Sequence, residues 1–405
     1  MSVLVRGFVM IGVVGTSACF GYSAMPPERA APAVRKIQDA KILEMKVHLH
    51  KQLGLCPGLE GKMYVNANVQ WPGSKPVVRS LGSDVDSLQP SDFTITGPLL
   101  KGDAKAHLFP DPDVQKSIDV GFDATVVYKP DPKFTFKENF PPEYSCYGGW
   151  FTDGGAGGPG AYGGDGGNNG PGTPGDHGGH GGAGGHGEPG GKITAYVTIV
   201  ATRYYPRLFA VLANNTFFLA PADRELLFGA AGGQGGAGGN GGWGGNGGDQ
   251  QTETKEIWEN KQKVNVTFGV GVAGNGGHGG DGGSGGPGGR GGVVEVTYDA
   301  AFPELARFLS VDVRGGAGGW GGAEGGGGNG GGSTAERRAK EGSPGQPGRP
   351  GHEGSPGPDG SGVVRAGQVA SRFHNIRGIA IFGTPQAKAM QQNPPAGAVA
   401  PRTKK

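Results

Sequence analysis

Residues 275–292 read NGGHGGDGGSGGPGGRGG. Two of every three positions are glycine, and the third is almost never apolar. Glycine costs about 1 kcal/mol per helix position relative to alanine and also weakens strands, so neither regular element suits this text. A flexible linker needs glycine content but no phase, and here the phase is kept. Related blocks lie at 153–192, 232–249 and 315–332, followed by 342–360. In the first block every third residue is a non-glycine, apart from an interruption near NNGPGTPGD.

Polyproline-II geometry has three residues per turn and a rise of about 3.1 Å. A GGX repeat in that geometry places X on one stripe and bare backbone on the other two. The helix has no internal hydrogen bonds, so buried N–H and C=O groups need partners in neighbouring rods. Glycine faces allow that approach. The X residues suit a watered stripe: Asp153, Ala156, Pro159, Tyr162 and Asp165; His177, His180, Ala183 and His186; Asn275, His278, Asp281, Ser284, Pro287 and Arg290. Disorder is the competing reading, and it predicts that phase carries no structural information.

This text resembles the polyglycine-II proteins, which include glycine-rich tail-fibre adhesins of bacteriophages and glycine-rich arthropod antifreeze proteins. The resemblance covers about a third of the chain and implies a local conformation rather than a function. Residues 342–360, GSPGQPGRPGHEGSPGPDG, are collagen-like, and they fit as an outer strand of such a bundle.

The rest of the chain is conventional. Of 405 residues, 88 are glycine and 31 proline, yet 35% are hydrophobic, enough for an ordinary core between the blocks. The formal charge of +2 gives no electrostatic case for nucleic acid. Arg6 followed by GFVMIGVVGTSAC reads as a signal peptide over 1–24. Thr16-Ser17-Ala18-Cys19 resembles a bacterial lipobox, with Cys19 as the lipidated residue; plain secretion is the alternative. Export gives Cys56 and Cys146 a meaning, because an oxidising compartment favours pairing them.

Residues 25–46 read as a tether running into a short helix. Over 47–147 the runs KMYVNANVQW, KPVVRSL, DFTITG, AKAHLF, KSIDVGFDATVVYK and KFTFKE, separated by turn pairs, predict a small β-sandwich. A Cys56–Cys146 bridge is expected to tie its first and last strands. Over 148–383 the glycine blocks alternate with a repeat: GGKITAYVTI, YYPRLFAVL and LLFGAAGG, then GGVVEVTYD, AFPELARFL and VDVRGGAGG, then GSGVVRAGQV. Each unit reads as strand, proline-opened amphipathic helix, strand. Val293, Val296, Phe302, Leu305, Phe308, Leu309 and Val311 are the expected floor of the clearer unit. Residues 384–405 read as a disordered tail. The fold class is therefore mainly β plus irregular: an N-terminal β-sandwich, then a polyglycine-II bundle interleaved with β-α-β units.

Catalytic motifs occur here only by accident of composition. Gly282–Gly286 satisfies G-x-S-x-G, and many windows satisfy G-x-G-x-x-G, without the strand–turn–helix context that gives either a meaning. The calcium nonapeptide lacks its aliphatic residue, so Asp165 and Asp281 read as solvated. Neighbouring X histidines lie about 9 Å apart along a rod, too far to share one zinc ion; no metal or cofactor is expected. A lone GGRGG at Arg290 is not an RNA-binding cluster. Tyr162, Trp243 and Trp320 are the unusual X residues: each either caps a glycine edge or stacks on a sugar or protein partner. The expectation is an exported, lipid-anchored, non-catalytic structural or adhesive protein of the cell envelope. A carbohydrate- or protein-binding module is the alternative and ice binding the weaker one.

Overall fold

The computed structural model describes residues 36–49 and 54–392, and over them the chain is mainly β with few helices. The expected signal peptide, Cys19 and residues 393–405 of the expected tail lie outside the described residues. The described residues fall into two compact units, 36–45 with 66–89, and 46–49 and 54–65 with 90–392.

In the first unit the strand run Asn66–Val69 pairs antiparallel with Val77–Ser80. The Trp71 indole donates to the Lys36 carbonyl at 2.8 Å, and Ile37 is buried. The expected short helix is a single 3-10 turn, Ile37–Asp39. Lys41–Leu49, which runs through both units, is a strand.

The second unit begins with strands on the expected runs: Phe93–Thr96, Leu100–Gly102, His107–Pro110, Phe122–Tyr128 and Thr135–Phe140, paired antiparallel, with Gly61–Lys62 joining at His107–Leu108. Cys56 and Cys146 are disulfide-bonded, with Cα atoms 6.4 Å apart. The bond joins loops that flank the strands rather than the first and last strands themselves.

The glycine-rich text forms six rods: 153–170, 173–191, 230–249, 273–292, 313–332 and 342–360. The first block is two rods, because the NNGPGTPGD interruption is a tight reversal. Gly172 there takes a φ of 76°, which glycine adopts without strain, and Thr173 N–H donates to Gly170 C=O. Each rod after the first donates from every third residue to the rod before it, and the partners run in opposite order. One such tie crosses all six rods: Gly351→Gly322→Gly283→Gly239→Gly182→Ala161, at 2.7–2.8 Å.

A second set of bonds joins alternate rods in parallel. Gly160 donates to Ala237 C=O and Gly238 to Trp320 C=O; Gly181 donates to Asp281 C=O and Gly282 to Arg349 C=O. Rods one, three and five thus form a front layer, and rods two, four and six an antiparallel back layer. A Cβ placed on Gly283 would lie 1.9 Å from the Gly182 oxygen, and one on Gly282 2.1 Å from the Gly322 oxygen. No side chain fits at either position.

Both layers continue into β-sheets. Strand Lys192–Ala201 follows rod two, Val293–Asp299 follows rod four and Ser361–Gly367 follows rod six, all mutually parallel. Gly149–Phe151, Leu226–Gly229 and Leu309–Asp312 precede rods one, three and five, again parallel. The pairing offset does not change between strand and rod. Lys192 faces Val293 with the same separation, 101, that relates His177 to His278. Leu226 faces Leu309 with the separation, 83, that relates Asn240 to Ala323. Side-chain packing in the strands therefore sets the phase of rods that have no packing side chains of their own.

One cluster, including Ile193, Val197, Phe209, Val294, Val296, Phe228 and Leu309, is buried between the two sheets. Val296, Leu305 and Leu309 of the expected floor are buried, and Phe302, Phe308 and Val311 pack at its margin. Val293 is instead 37% exposed and Val294 takes the inward position. Val293 and Val296 are an odd number of residues apart, so a strand cannot turn both inward, and Val296 shares its face with Val294.

Three other expectations are corrected. YYPRLFAVL is not a helix: Leu208–Ala213 is a strand, antiparallel to Lys192–Ala201 and hairpinned to Thr216–Pro221. Asn214 and Asn215 form its turn with φ of 47° and 67°. Both values are positive, as a two-residue hairpin requires. AFPELARFL contains a 3-10 helix, Pro303–Phe308, in place of an amphipathic α-helix. The tail begins with helix Pro385–Gln392, because Thr384 Oγ1 accepts from Ala387 N–H and Ala387 is buried against Ala201 and Ala380.

Candidate functional site

The X residues of the front layer line up in rows across rods one, three and five. The offsets of 78 and 83 are fixed by Trp243 N–H donating to Asp165 Oδ1 at 2.8 Å and Ala323 N–H donating to Asn240 Oδ1 at 2.9 Å. Three successive rows are Pro159–Ala237–Trp320, Tyr162–Asn240–Ala323 and Asp165–Trp243–Gly326. The three aromatic residues singled out in the sequence thus share one face, one per rod and one per row. They are 80%, 65% and 68% exposed for Tyr162, Trp243 and Trp320.

Trp243 lies over rod five. A Cβ on Gly326 would fall 2.4 Å from Cζ3 of its ring. Gly326 occupies an X position, inside the irregular run Gly325–Gly328, and its bare backbone leaves room for the indole. One face of the ring is against glycine and the rest is open to solvent. At the base of the same layer, the Arg314 side chain bonds Asp312 and holds its carboxyl below the usual carboxylate range.

The carboxylates and imidazoles of the X stripes are not simply solvated. An X residue's backbone N–H has no glycine carbonyl to meet, and the X side chain of the adjacent rod accepts from it. Asp153 accepts from Ala231, Asn168 from Asn246, Asn246 from Asn329, Asn275 from Ser343 and Asp281 from Arg349, at 2.7–2.9 Å. His177 Nδ1 accepts from His278 N–H at 2.8 Å, His180 Nδ1 from Asp281 N–H at 3.0 Å and His278 Nδ1 from Gln346 N–H at 2.9 Å. Asp, Asn and neutral His share what this role needs, an acceptor atom one bond beyond Cγ. The sequence signal was a polar X residue one fixed offset before a non-proline X residue. The offsets were unreadable until the strands set them.

The back layer also brings together histidines from different rods. The His177 and His278 rings stack at 4.8 Å and 3°. Their Nδ1 lone pairs are already engaged, and the described residues contain no group of three or more His, Cys, Asp or Glu placed to hold a metal ion. No helix among the described residues is long and apolar enough to cross a membrane. No protein-family model matches this chain, and no curated protein or solved structure is similar to it.

Proposed function

We propose that this chain is an exported, lipid-anchored, non-catalytic structural or adhesive protein of the cell envelope. In this reading a β-sandwich over 47–147 leads into a polyglycine-II bundle that serves as a stiff presenting slab. The observation that carries the reading is the aromatic face, with Tyr162, Trp243 and Trp320 exposed in adjacent rows of hydrogen-bonded rods. Rigid backbone spares the loss of backbone freedom on contact, which favours stacking of these rings on flat apolar surfaces such as sugar rings. The Cys56–Cys146 bond fits an oxidising compartment. The Thr16–Cys19 motif supplies the anchor. The face's rows mix Asp165, Asn240, Pro159 and two indoles, which suits a mixed apolar and polar partner better than the uniform small-residue stripe of an ice-binding plane.

A glycan array with wild type and with the Trp243→Ala/Trp320→Ala double variant tests the adhesive reading. Saccharide binding that the double variant loses supports it. No binding by either protein rejects adhesion through glycans and leaves the scaffold, and a thermal hysteresis signal would move the assignment to ice binding. For the anchor, Cys19→Ala is expected to shift the mature protein out of the detergent phase, and unchanged partitioning rejects lipidation.

A further inference from the structure

The back layer uses two kinds of acceptor for one task. Where an X backbone N–H of rod four or six meets Asn275 or Asp281, the acceptor is an oxygen. Where it meets His177, His180 or His278, the acceptor is Nδ1 of a neutral imidazole. Adding a proton to such a ring fills that nitrogen and turns an acceptor into a donor. The hydrogen bond from the neighbouring rod is then lost, whereas an Asn cap in the same lattice is untouched. Histidine is the side chain whose ordinary charge change falls between pH 5 and 8.

We propose that the His177–His278–Gln346 row is an acid-sensitive seam of the back layer, which releases rods four and six locally when its imidazoles are protonated. Two features concentrate the effect in this row. The two rings are stacked face to face at 4.8 Å, so charging both sets like charges against one another. The third member of the row, Gln346, carries no compensating charge, and the row before it is Pro174–Asn275–Ser343, also uncharged. The charged or titratable neighbours are Asp176 beside His177 and the following row of His180, Asp281 and Arg349. Asp176 is engaged by the Asn169 amide at 3.0 Å, and Arg349 adds a further positive charge on rod six. Rods one, three and five turn their X stripes to the opposite face; besides backbone they bring the Asn169 amide to Asp176, and Glu324 of rod five keeps the period of Gly321 and Gly327, whose Cβ positions meet Gly351 and Gly345 of rod six. The next row is buffered differently. His180 Nδ1 lies 3.8 Å from Asp281 Oδ2, so a charged His180 gains an ion pair as it loses its backbone bond.

Residue-resolved amide exchange of the full chain at pH 7.5 and 5.0, corrected for the intrinsic pH dependence of exchange, tests this. Three amides capped by Asn, those of Ala323, Asn329 and Ser343, serve as controls inside the same molecule. Protection at His278 and Gln346 is expected to fall about three- to tenfold relative to those controls, the loss of one net hydrogen bond. The His177→Asn/His278→Asn variant keeps an acceptor in place and is expected to hold both amides protected at both pH values. Equal responses of the His-capped and Asn-capped amides would overturn the proposal. So would an unchanged acid response in the double variant, which would place the titrating group elsewhere.

Discussion

Rods three and four differ from rods one and six in one respect that explains their sequences. The inner rods have neighbours on both sides and in the opposite layer, and most of their glycines are buried. They keep a strict GGX text. Rod six has only rods four and five beside it. Its Gly342, Gly345, Gly348 and Gly351 meet rod five, and its X residues face water as elsewhere. Of its six remaining positions four are proline, Pro344, Pro347, Pro350 and Pro356, and two are Glu353 and Asp359; they stand where an inner rod carries a second donor glycine. Proline has no N–H, so the outward edge offers no donor at the proline positions, much as β-sheets blunt their free strands. Rod one, at the other edge, likewise relaxes: Ala161 replaces a glycine, and a Cβ at Gly158 or Gly164 meets no atom within 4 Å. The collagen-like composition of 342–360 is thus what a GGX rod becomes when one of its two glycine faces has no neighbour.

The comparison predicts very different costs for the same chemical change. Gly283→Val in rod four is expected to destabilise the bundle by about 3 kcal/mol or more, because it both overpacks and breaks ties to two rods. Gly164→Ala in rod one is expected to stay within about 0.5 kcal/mol, as is Ser284→Val on the rod-four surface. Denaturant unfolding of the three variants beside wild type reads the difference, and equal midpoints would erase the distinction between inner and edge rods.

The loops at the base set a second scale. The Cys56–Cys146 bond closes a separation of 90 residues, so Cys56→Ser/Cys146→Ser is expected to lose about 2–4 kcal/mol. That loss belongs to the strands before the rods, and proteolysis of the rods should remain as in wild type. A smaller effect isolates the side-chain caps. Asn240→Ala leaves the Ala323 N–H to water and should cost about 1 kcal/mol or less, with faster exchange confined to that amide. Replacing Pro344, Pro347 and Pro350 by glycine is read by association rather than by stability, because it also raises the entropy of the unfolded chain. It restores outward N–H groups along rod six, and sedimentation is expected to show increased self-association; an unchanged sedimentation profile would mean that the prolines do not blunt the edge.

The phase of the glycines was legible in the sequence, because only close backbone approach requires glycine at fixed thirds. The location of strands at 192, 293 and 361 was legible for the same reason that any β-branched run is. What could not be read was the pairing among rods, since glycine blocks are interchangeable and only the flanking strands distinguish them. The role of Asp165, Asn240 and His177 followed from that pairing and was lost with it. YYPRLFAVL was misread on the strength of one proline. The signal that outweighs it, Asn214-Asn215 between two apolar runs, was in plain view and marks a hairpin. Gly326 under Trp243 had no signal beyond an extra glycine where the period called for a side chain.

The most direct test of the lattice is the exchange rate of each glycine amide along rods three and six. In backbone-to-backbone bonds rod three donates from both glycines of every triplet, as Gly235 and Gly236 do to Ala317 and Gly185, and rod six from its single glycine, as Gly351 does to Gly322. The expected result is protection of both glycine amides of each triplet in rod three and of the single glycine amide of each triplet in rod six, with an X amide protected only where a side chain caps it, as at Trp243 and Gln346. Uniformly fast exchange through both segments would contradict the account.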